Sequence, residues 1–445
     1  MSPVAASPQR GFGTRAGSDS PGRDILERIL TPTPGHVMRL PDRPLPEQTI
    51  LIHVGFHKTG TTALQSAFAA ARPRLVESGV LYPGKRTSHH RAAMAVTERT
   101  WGWGAQGGKA PRQGDWDNLV RACRDHEGRA FISSEAFSLA NAAAVDRVID
   151  RLGADRLHIV MTLRPISRLL PSSYQQYLKY GLTMRYEDWL EQAFTHRPKC
   201  PPSPNFWRRN DHVGVAKRWA ERLGPDRVSL VVLDESDRGY LFRSFERLLD
   251  LPEGMLVPDR AVAKSNRSMS GPEAEMLRRI NEAGSDLWDW PHYERLVRRG
   301  AVQRMVESRR PESDEAALGT PEWAVHAAQE VGRDTIAGFE SIRLNVYGNL
   351  ATLADPIPAG QPPTDDMTIA VSAASEAVLG TVSSAMAGLP IRPEEDDSLD
   401  RLDLPVVRTL TTRETATLLN RRLREAVRWR VQRARSALRP RRRRG

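Results

Sequence analysis

The sequence predicts an α/β fold in which a P-loop-like parallel sheet is flanked by helices, with a mostly helical C-terminal part. Continuous apolar runs, typical of strands buried on both faces of a parallel sheet, alternate with helical patterns in the first half of the chain. A loop rich in glycine and threonine directly follows the first of these runs. This order of strand, loop and helix is typical of a phosphate-binding loop at the edge of a parallel sheet.

The elements follow one another regularly along the chain. Apolar runs predict strands over residues 49–54, 129–133, 157–163 and 228–233. Helical patterns follow the first strand and cover residues 215–223, 240–249 and much of 272–345. We expect the first helix to be interrupted at Pro73, because proline has no backbone N–H, and to end near Gly79.

Composition divides the chain into four parts. The α/β pattern is confined to the second part, and the first is rich in Ser, Pro, Gly and Arg, which predicts disorder. The predicted parts are a disordered N-terminal arm over residues 1–46, an α/β domain over 47–350, a linker with an appended helix over 351–410, and a basic amphipathic helix or tail over 411–445.

Positive charge is concentrated at the C-terminus. The chain has a net charge of +11, and residues 421–445 alone contain twelve arginines and one glutamate. The remainder is therefore neutral, which makes nucleic acid an unlikely partner of the catalytic body. The tail places Leu419, Leu423, Val427 and Val431 at a spacing of four among these arginines. This pattern predicts a helix that suits an anionic membrane surface.

The cysteine content and the absence of apolar spans predict a cytoplasmic protein, which the tail could hold at the inner membrane face. Cys123 and Cys200 are too few for a disulfide framework or a cysteine-rich metal site. The N-terminal residues lack the apolar core of a secretory signal. Residues 368–389 come nearest to a membrane span, but their Ala, Ser and Thr content and Glu376 predict a soluble helix.

The loop after the first strand carries the strongest functional signal. It reads Gly-Phe-His-Lys-Thr-Gly-Thr-Thr over residues 55–62, with the lysine before the second glycine. An ATP-binding Walker A loop has the opposite order, with lysine after that glycine. Glycines let the backbone bend around an oxyanion, and the N–H groups that open the next helix favour negative charge. The predicted phosphate contacts are Lys58, Thr59, Gly60, Thr61 and Thr62.

A second motif follows the strand at residues 157–163. It begins with Arg164 and places Ser172 eight residues later, on a predicted helix. Arginine offers a forked cation at the carboxyl end of a strand, and serine offers a short hydrogen-bond donor. This pair suits an oxyanion at the same edge of the sheet as the first loop.

The two motifs together resemble the sulfotransferases that use 3′-phosphoadenosine 5′-phosphosulfate (PAPS), and the extended loop from His53 to Thr62 is similar to the bacterial branch of that family. The resemblance covers about residues 47–350. It implies that the loop holds the 5′-phosphosulfate, that Arg164 and Ser172 hold the 3′-phosphate, and that 3′-phosphoadenosine 5′-phosphate is released. It also implies contacts to the 3′-phosphate from a late loop, where the candidates are Asn266, Arg267 and Ser268.

Transfer of a sulfuryl group requires a cation near the leaving oxygen and a base for the acceptor proton. Lys58 is the predicted cation. The resemblance implies that the base lines the mouth of the nucleotide site, where His89, His90 and Glu135 are the candidates. A histidine suits neutral pH without tuning, whereas Glu135 needs a raised pKa or orients a histidine. No metal is expected, because no His, Asp and Glu cluster has ligand spacing.

We therefore expect a sulfotransferase that moves the sulfuryl group from PAPS to a hydroxyl or amine of a glycan, glycolipid or small metabolite. One alternative is a P-loop-type kinase, for which Asp234 and Glu235 are the only obvious acidic residues after a strand. The other is a catalytically inactive adaptor with the same fold that acts through its basic tail. The sequence leaves the acceptor open.

Overall fold

The computed structural model describes residues 39–99, 111–257, 267–285, 287, 289–364 and 367–387. Six parallel strands form one sheet in the order β2-β3-β1-β4-β5-β6. Their bounds are β1 Ile50–Gly55, β2 Val80–Leu81, β3 Arg129–Ser134, β4 Leu157–Leu163, β5 Val228–Val232 and β6 Asn345–Tyr347. The α/β fold with a parallel sheet flanked by helices is thus confirmed.

Helices connect these strands and extend the chain beyond β5. The α-helices of the described segments are α1 Thr61–Glu77, α2 His90–Val96, α3 Gln113–Arg124, α4 Ala142–Leu152, α5 Ile166–Leu178, α6 Tyr186–Thr195, α7 Phe206–Arg209, α8 His212–Leu223, α9 Tyr240–Leu249, α10 Gly271–Gly284, α11 Trp290–Tyr293, α12 Gln303–Ser308, α13 Glu322–Glu340 and α14 Val371–Met386. Residues Glu294–Val302 form a π-helix, and short 3₁₀ turns cover Glu135–Leu139, Pro225–Arg227 and Leu350–Ala354.

The central strands bury both faces of the sheet. All six residues of β1 are buried, and their side chains alternate between two hydrophobic cores. Ile52 and Val54 pack on one face with α2, α3, α4 and α8, and Leu51 packs on the other with α1 and α9. This double burial explains why the strands are continuous apolar runs in the sequence.

The register brings the carboxyl ends of three strands to one edge. Strand β1 lies between β3 and β4, with Val54 opposite Ser134 and Gly55 opposite Thr162. The loop after β1, the 3₁₀ turn after β3 and Arg164 after β4 therefore begin side by side. In open parallel sheets, such an edge is where ligands bind.

A third hydrophobic core joins α5, α6 and α7 to the C-terminal helices. The Gln175 side chain ties α5 to the segment before α10, since its Nε2 donates to the Met269 carbonyl at 3.0 Å and its Oε1 accepts from the Met269 N–H at 2.9 Å. Helix α14 packs against the π-helix and α12, where Arg304 Nε donates to Glu376 Oε2 at 2.8 Å. The described segments between β5 and residue 387 are thus mostly helical and anchored to the helices that follow β4.

The expected interruption of the first helix at Pro73 was wrong. Helix α1 continues through Pro73 to Glu77. Proline leaves the carbonyl four residues earlier without its usual N–H partner. That carbonyl belongs to Ala69, and it accepts a 3.4 Å hydrogen bond from Nη1 of Arg72 instead. The side chain next to the proline thus compensates for the missing backbone bond.

The last residues of the predicted N-terminal arm pack against the domain. Leu40 and Leu45 lie against the core on the α1 and α9 face, and the Leu45 N–H donates to the Leu248 carbonyl at 2.9 Å. Residues 1–38 of that arm, and the whole tail over 411–445, lie outside the described residues. Within the described segments, no helix combines the length and apolar character that a bilayer span requires.

Candidate active site

The loop over residues 56–60 connects β1 to α1. Lys58 and Gly60 turn the chain with φ angles of 64° and 77°. A Cβ atom on Gly60 would lie 2.7 Å from Leu241 Cδ2, so the backbone needs a glycine there. No side chain caps α1, and its first turn contains no acidic residue. The N-terminal N–H groups and the positive end of the helix dipole are therefore available to an anion.

A buried chain of hydrogen bonds supports this loop from below. His53 on β1 bonds Ser133 Oγ on β3 through Nδ1 and Thr162 Oγ1 on β4 through Nε2, both at 2.9 Å. Thr162 Oγ1 lies 2.7 Å from Thr59 Oγ1, and Gln65 Nε2 donates to Ser133 Oγ at 3.1 Å. Burial lowers the pKa of His53 to about 3, so its ring stays neutral at physiological pH. These hydrogen bonds therefore fix the loop without adding charge.

The threonines of the loop differ in their roles. Thr59 Oγ1 donates to the Phe56 carbonyl at 2.7 Å, and Thr61 Oγ1 contacts the same carbonyl at 3.3 Å. Both residues are buried, whereas Thr62 is exposed. Thr59 and Thr61 thus shape the loop with their side chains, and Thr62 presents its hydroxyl at the surface.

Lys58 extends from the loop at the carboxyl edge of the sheet. Its side chain is exposed to solvent, yet the surrounding protein and the Arg164 charge lower its pKa, with desolvation as the larger cause. The Lys58 ammonium has no hydrogen-bond or ion-pair partner within the described ranges.

Arg164 and Ser172 are not brought into a common contact. Arg164 Nη1 donates to the Lys58 carbonyl at 3.3 Å, which places the guanidinium beside the loop. Its Nε donates to Glu235 Oε1 at 2.6 Å, however, and the same carboxylate lies 3.4 Å from Nη1 of Arg168. Ser172 Oγ donates to the Leu169 carbonyl within its own helix. In this structure, the Glu235 carboxylate is therefore paired with the guanidinium that was predicted to bind the 3′-phosphate.

Glu135 opens the 3₁₀ turn after β3, at the same edge as the loop. It is partly accessible, and the Gln65 side chain lies near its carboxylate. Desolvation raises the pKa of Glu135, and its own backbone and the Gln65 side chain oppose this shift. Gln65 itself donates to Ser133 Oγ and so belongs to the buried chain of hydrogen bonds under the loop.

The two histidines among the candidates for the general base occupy different environments. His89 is buried, with Nε2 donating to the Pro83 carbonyl at 2.9 Å and Nδ1 accepting from the Ser133 N–H at 3.1 Å. One ring nitrogen thus holds the segment after β2, and the other holds β3. His90 is half-buried, and its Nδ1 lies 3.2 Å from Ser134 Oγ. His90 is therefore the more accessible of the two histidines.

Burial reverses the expected ranking of the base candidates. It lowers the pKa of both His89 and His90 to about 4, whereas it raises the pKa of Glu135. A histidine suits neutral pH as a base only when its pKa is close to the ordinary value, and the pKa of both histidines lies well below that value here. A carboxylate with a raised pKa is the better proton acceptor near neutral pH.

Three residues of the site were not singled out from the sequence. Lys179 follows α5, and desolvation, followed by the charges of Lys58, Arg298 and Arg267, lowers its pKa to about 8. Arg209 ends α7, and Gln65 lies on α1. Neither the Lys179 ammonium nor the Arg209 guanidinium has a hydrogen-bond or ion-pair partner in the part of the chain that the structure describes. No motif signals these residues, because packing of distant helices places them.

The late-loop candidates are engaged elsewhere or lie outside the description. Arg267 makes a bidentate pair with Glu273 at 2.7 and 2.9 Å, and it also donates to the carbonyls of Met305, Val306 and Arg309. The Ser268 carbonyl accepts from the same guanidinium. Asn266 lies outside the described residues. Arg267 therefore braces the C-terminal helices in this structure.

Acidic groups near the site are also occupied. Glu235 binds Arg164 and Arg168, and Asp234 Oδ1 accepts from the backbone N–H and the hydroxyl of Ser236 at 2.9 and 2.6 Å. Among the described residues, no three His, Cys, Asp or Glu side chains form a group suited to a metal ion. The two carboxylates that a kinase would need after β5 thus serve an ion pair and a turn here.

Comparison with known proteins finds similarity among solved structures. No family model matches the sequence, and no curated protein matches it. Among solved structures, the crystal structure of a sulfotransferase from Alicyclobacillus acidocaldarius aligns with a TM-score of 0.36 and 16% sequence identity. The alignment covers 56% of this chain and 99% of that one. A similarity this low leaves the chemistry of the site to be derived from its own residues.

Proposed function

We propose that this protein is a sulfotransferase that moves the sulfuryl group of PAPS to a hydroxyl or amine of a glycan, glycolipid or small metabolite. The observation that carries the proposal is the convergence of unpaired cations on an uncapped helix start. Lys58 and Lys179 have no partner among the described residues, and α1 begins beside Lys58 without a cap. Such a site suits a polyanionic nucleotide.

The residues present fit such a nucleotide in part. The bend at Gly60 and the free N-terminus of α1 fit the 5′-phosphosulfate, and Lys58 lies in the same loop. Arg164 has the right chemistry for the 3′-phosphate, but it must first exchange Glu235 for that phosphate. Ser172 lies one to two turns into the helix that follows β4 and would add a hydroxyl.

The protein residues divide the chemical work. The bound nucleotide supplies an activated sulfuryl group. Lys58 stabilises negative charge as it grows on the leaving oxygen, which is a larger effect in the transition state than in the ground state. Glu135 accepts the acceptor proton, and its raised pKa matches this task. Gln65 is a positioning residue, because it donates to Ser133 Oγ and lies near the Glu135 carboxylate.

The kinase alternative differs in its nucleotide and in its need for Mg²⁺. The test is calorimetric titration of the full chain with 3′-phosphoadenosine 5′-phosphate, AMP and ADP, each with and without Mg²⁺. We expect the bisphosphate to bind at least tenfold more tightly than AMP and without help from Mg²⁺. Equal affinity for AMP would refute the proposal, and tight binding of ADP only with Mg²⁺ would support a kinase.

The proposal also covers the position of the enzyme in the cell. The basic tail over residues 411–445, outside the described residues, is proposed to bind an anionic membrane surface and to hold a cytoplasmic enzyme there. The inactive-adaptor alternative assigns the whole function to this tail. Turnover that depends on Lys58 separates the two.

A further inference from the structure

Arg209 is the cation of the site that the proposed chemistry leaves unused. Its Nε atom is buried and has no hydrogen-bond partner, and its guanidinium forms no ion pair within the described segments. A buried hydrogen-bond donor without a partner destabilises the folded protein by about 1 to 3 kcal/mol. Such a group beside the ligand-binding edge of a parallel sheet indicates a ligand that completes it.

The structure holds Arg209 rigidly at this place. Helix α7 is anchored by Phe206 and Trp207, which are 1% and 5% exposed, and Trp207 Nε1 donates to the Ala193 carbonyl at 2.7 Å. The helix packs against the 3₁₀ turn that Glu135 opens. Arg208, the preceding residue, is exposed and faces solvent. The fold thus partly buries Arg209 on a helix beside the Glu135 turn and leaves Arg208 in solvent.

Arg209 lies on the side of the site that holds the proposed base. Its helix α7 packs against the turn that Glu135 opens. In agreement with this position, its charge contributes to lowering the pKa of His57, His90 and Glu135. No hydrogen bond joins Arg209 to Glu135 in this part of the described chain.

Two neighbours of Arg209 also have unsatisfied buried atoms. Asn210 Oδ1 and His212 Nε2 have no partner among the described residues, although Asn210 Nδ2 donates to the Phe206 carbonyl at 2.8 Å. The His212 ring contacts Phe56 of the phosphate loop with centroids 4.3 Å apart. Unsatisfied polar atoms are thus concentrated where α7 and α8 approach the loop.

We propose that the Arg209 guanidinium binds an oxyanion carried by the acceptor, a carboxylate or a sulfate, so that the enzyme selects acidic acceptors. This inference rests on the proposed sulfotransferase function and names its substrate class. A planar guanidinium with free donors matches a carboxylate or sulfate through two parallel hydrogen bonds. Held on the acceptor side, this pair would orient the nucleophilic hydroxyl or amine toward Glu135.

The test is calorimetry on the full chain saturated with 3′-phosphoadenosine 5′-phosphate. The probes are methyl β-D-glucuronide, methyl β-D-glucoside 6-sulfate and methyl β-D-glucoside, which differ only in the group at one carbon. We expect at least one anionic probe to bind tenfold or more tightly than the neutral glucoside. Comparison of the two anionic probes shows whether a carboxylate or a sulfate is preferred.

Three variants assign the effect to Arg209. Arg209→Gln should abolish the preference for the anionic probe, Arg209→Lys should retain part of it, and Arg208→Gln, the matched control, should retain all of it. Equal affinity for all three probes, or no detectable binding of any, would overturn the inference, as would a preference that survives Arg209→Gln. Bisphosphate binding is measured separately in the same samples, so failure of the proposed function is distinguishable.

Discussion

The Arg164 Nε atom donates a 2.6 Å hydrogen bond to Oε1 of Glu235. The residue that we assign to the 3′-phosphate is thus already paired with a carboxylate from the end of the neighbouring strand. Arg168 approaches the second oxygen of the same carboxylate at 3.4 Å. A phosphate at Arg164 must therefore displace Glu235, and the free energy of that exchange enters the affinity for the nucleotide.

Substitution of Arg164 should weaken nucleotide binding, and substitution of Glu235 should strengthen it. Arg164→Ala removes the forked cation and should weaken bisphosphate binding by about 1.5 to 3 kcal/mol. Glu235→Gln removes the competing charge and should tighten it, by roughly tenfold. Calorimetry measures both, with Arg222→Ala as the control, because Arg222 pairs with Asp146 on α4 rather than with a residue of the site. Tighter binding after Arg164→Ala would exclude this guanidinium as the phosphate ligand.

Lys58→Ala should affect turnover far more than nucleotide binding. Its ammonium is unpaired among the described residues and lies in the phosphate loop, where charge develops on the leaving oxygen. We expect kcat to fall about 100- to 1,000-fold, with a much smaller change in affinity. Steady-state kinetics and calorimetry on the same variant test this, and exposed Lys85→Ala is the matched control. A raised KM with normal kcat would mean that Lys58 only binds the nucleotide.

The strands were predictable because their signal is local. Residues 157–163 form a continuous apolar run, and β4 has the same bounds. The passage of α1 through Pro73 was not predictable, because it depends on where the Arg72 side chain points. The strands β2 and β6, with two and three residues, are too short to leave a pattern.

The site was predictable only where it follows a strand end. Lys58, Glu135 and Arg164 lie in the segments that follow β1, β3 and β4, at the carboxyl edge of the sheet, and the order of the motifs along the sequence indicated this edge. Burial, which lowers the pKa of His90 to about 4, arises from tertiary packing and cannot be read from a His-His pair. Arg209 was missed because its approach to Glu135 depends on how a four-residue helix packs against a distant turn.

The pH dependence of kcat/KM distinguishes Glu135 from His90 as the base. The base must be deprotonated, so the rate falls as the pH drops below its pKa. With Glu135 as base, this acidic limb lies above the ordinary glutamate pKa, because burial raises it. Glu135→Gln should then abolish the limb and most of the activity, and His90→Gln should preserve the limb. Exposed Glu127→Gln serves as the control. Loss of the limb in His90→Gln alone would assign the base to His90.

A buried histidine outside the site should make stability depend on pH. Burial lowers the pKa of His158 from the ordinary 6.5 to about 4, and its Nε2 bonds Ser229 Oγ at 2.8 Å. Between these values the unfolded chain binds a proton that the folded chain excludes, so stability falls as pH decreases. His158→Gln should reduce the slope of unfolding free energy by about 1.4 kcal/mol per pH unit there.

Urea unfolding at several pH values measures this slope. His326→Gln is the matched control, because His326 is exposed on α13 and should leave the slope as in the parent. An unchanged slope in His158→Gln would show that this histidine is protonated in the folded protein.

Deletion of residues 411–445 should separate membrane association from catalysis. The deleted segment carries the excess positive charge of the chain, and none of the proposed site residues lies in it. We expect loss of sedimentation with anionic vesicles of phosphatidylglycerol, and unchanged binding of the bisphosphate. Neutral phosphatidylcholine vesicles provide the control for non-specific association. Vesicle binding that persists after the deletion would place the membrane contact elsewhere.

The most direct test of the account is transfer of ³⁵S from labelled PAPS to acceptors in an extract of the host cell. Wild-type protein and Lys58→Ala are compared at equal concentration, with labelled products separated by chromatography. We predict a labelled product that forms with the wild type and is lost, by at least 100-fold in rate, with Lys58→Ala. No labelled product with the wild type, or equal formation by both proteins, would contradict the assignment of sulfuryl transfer to this site.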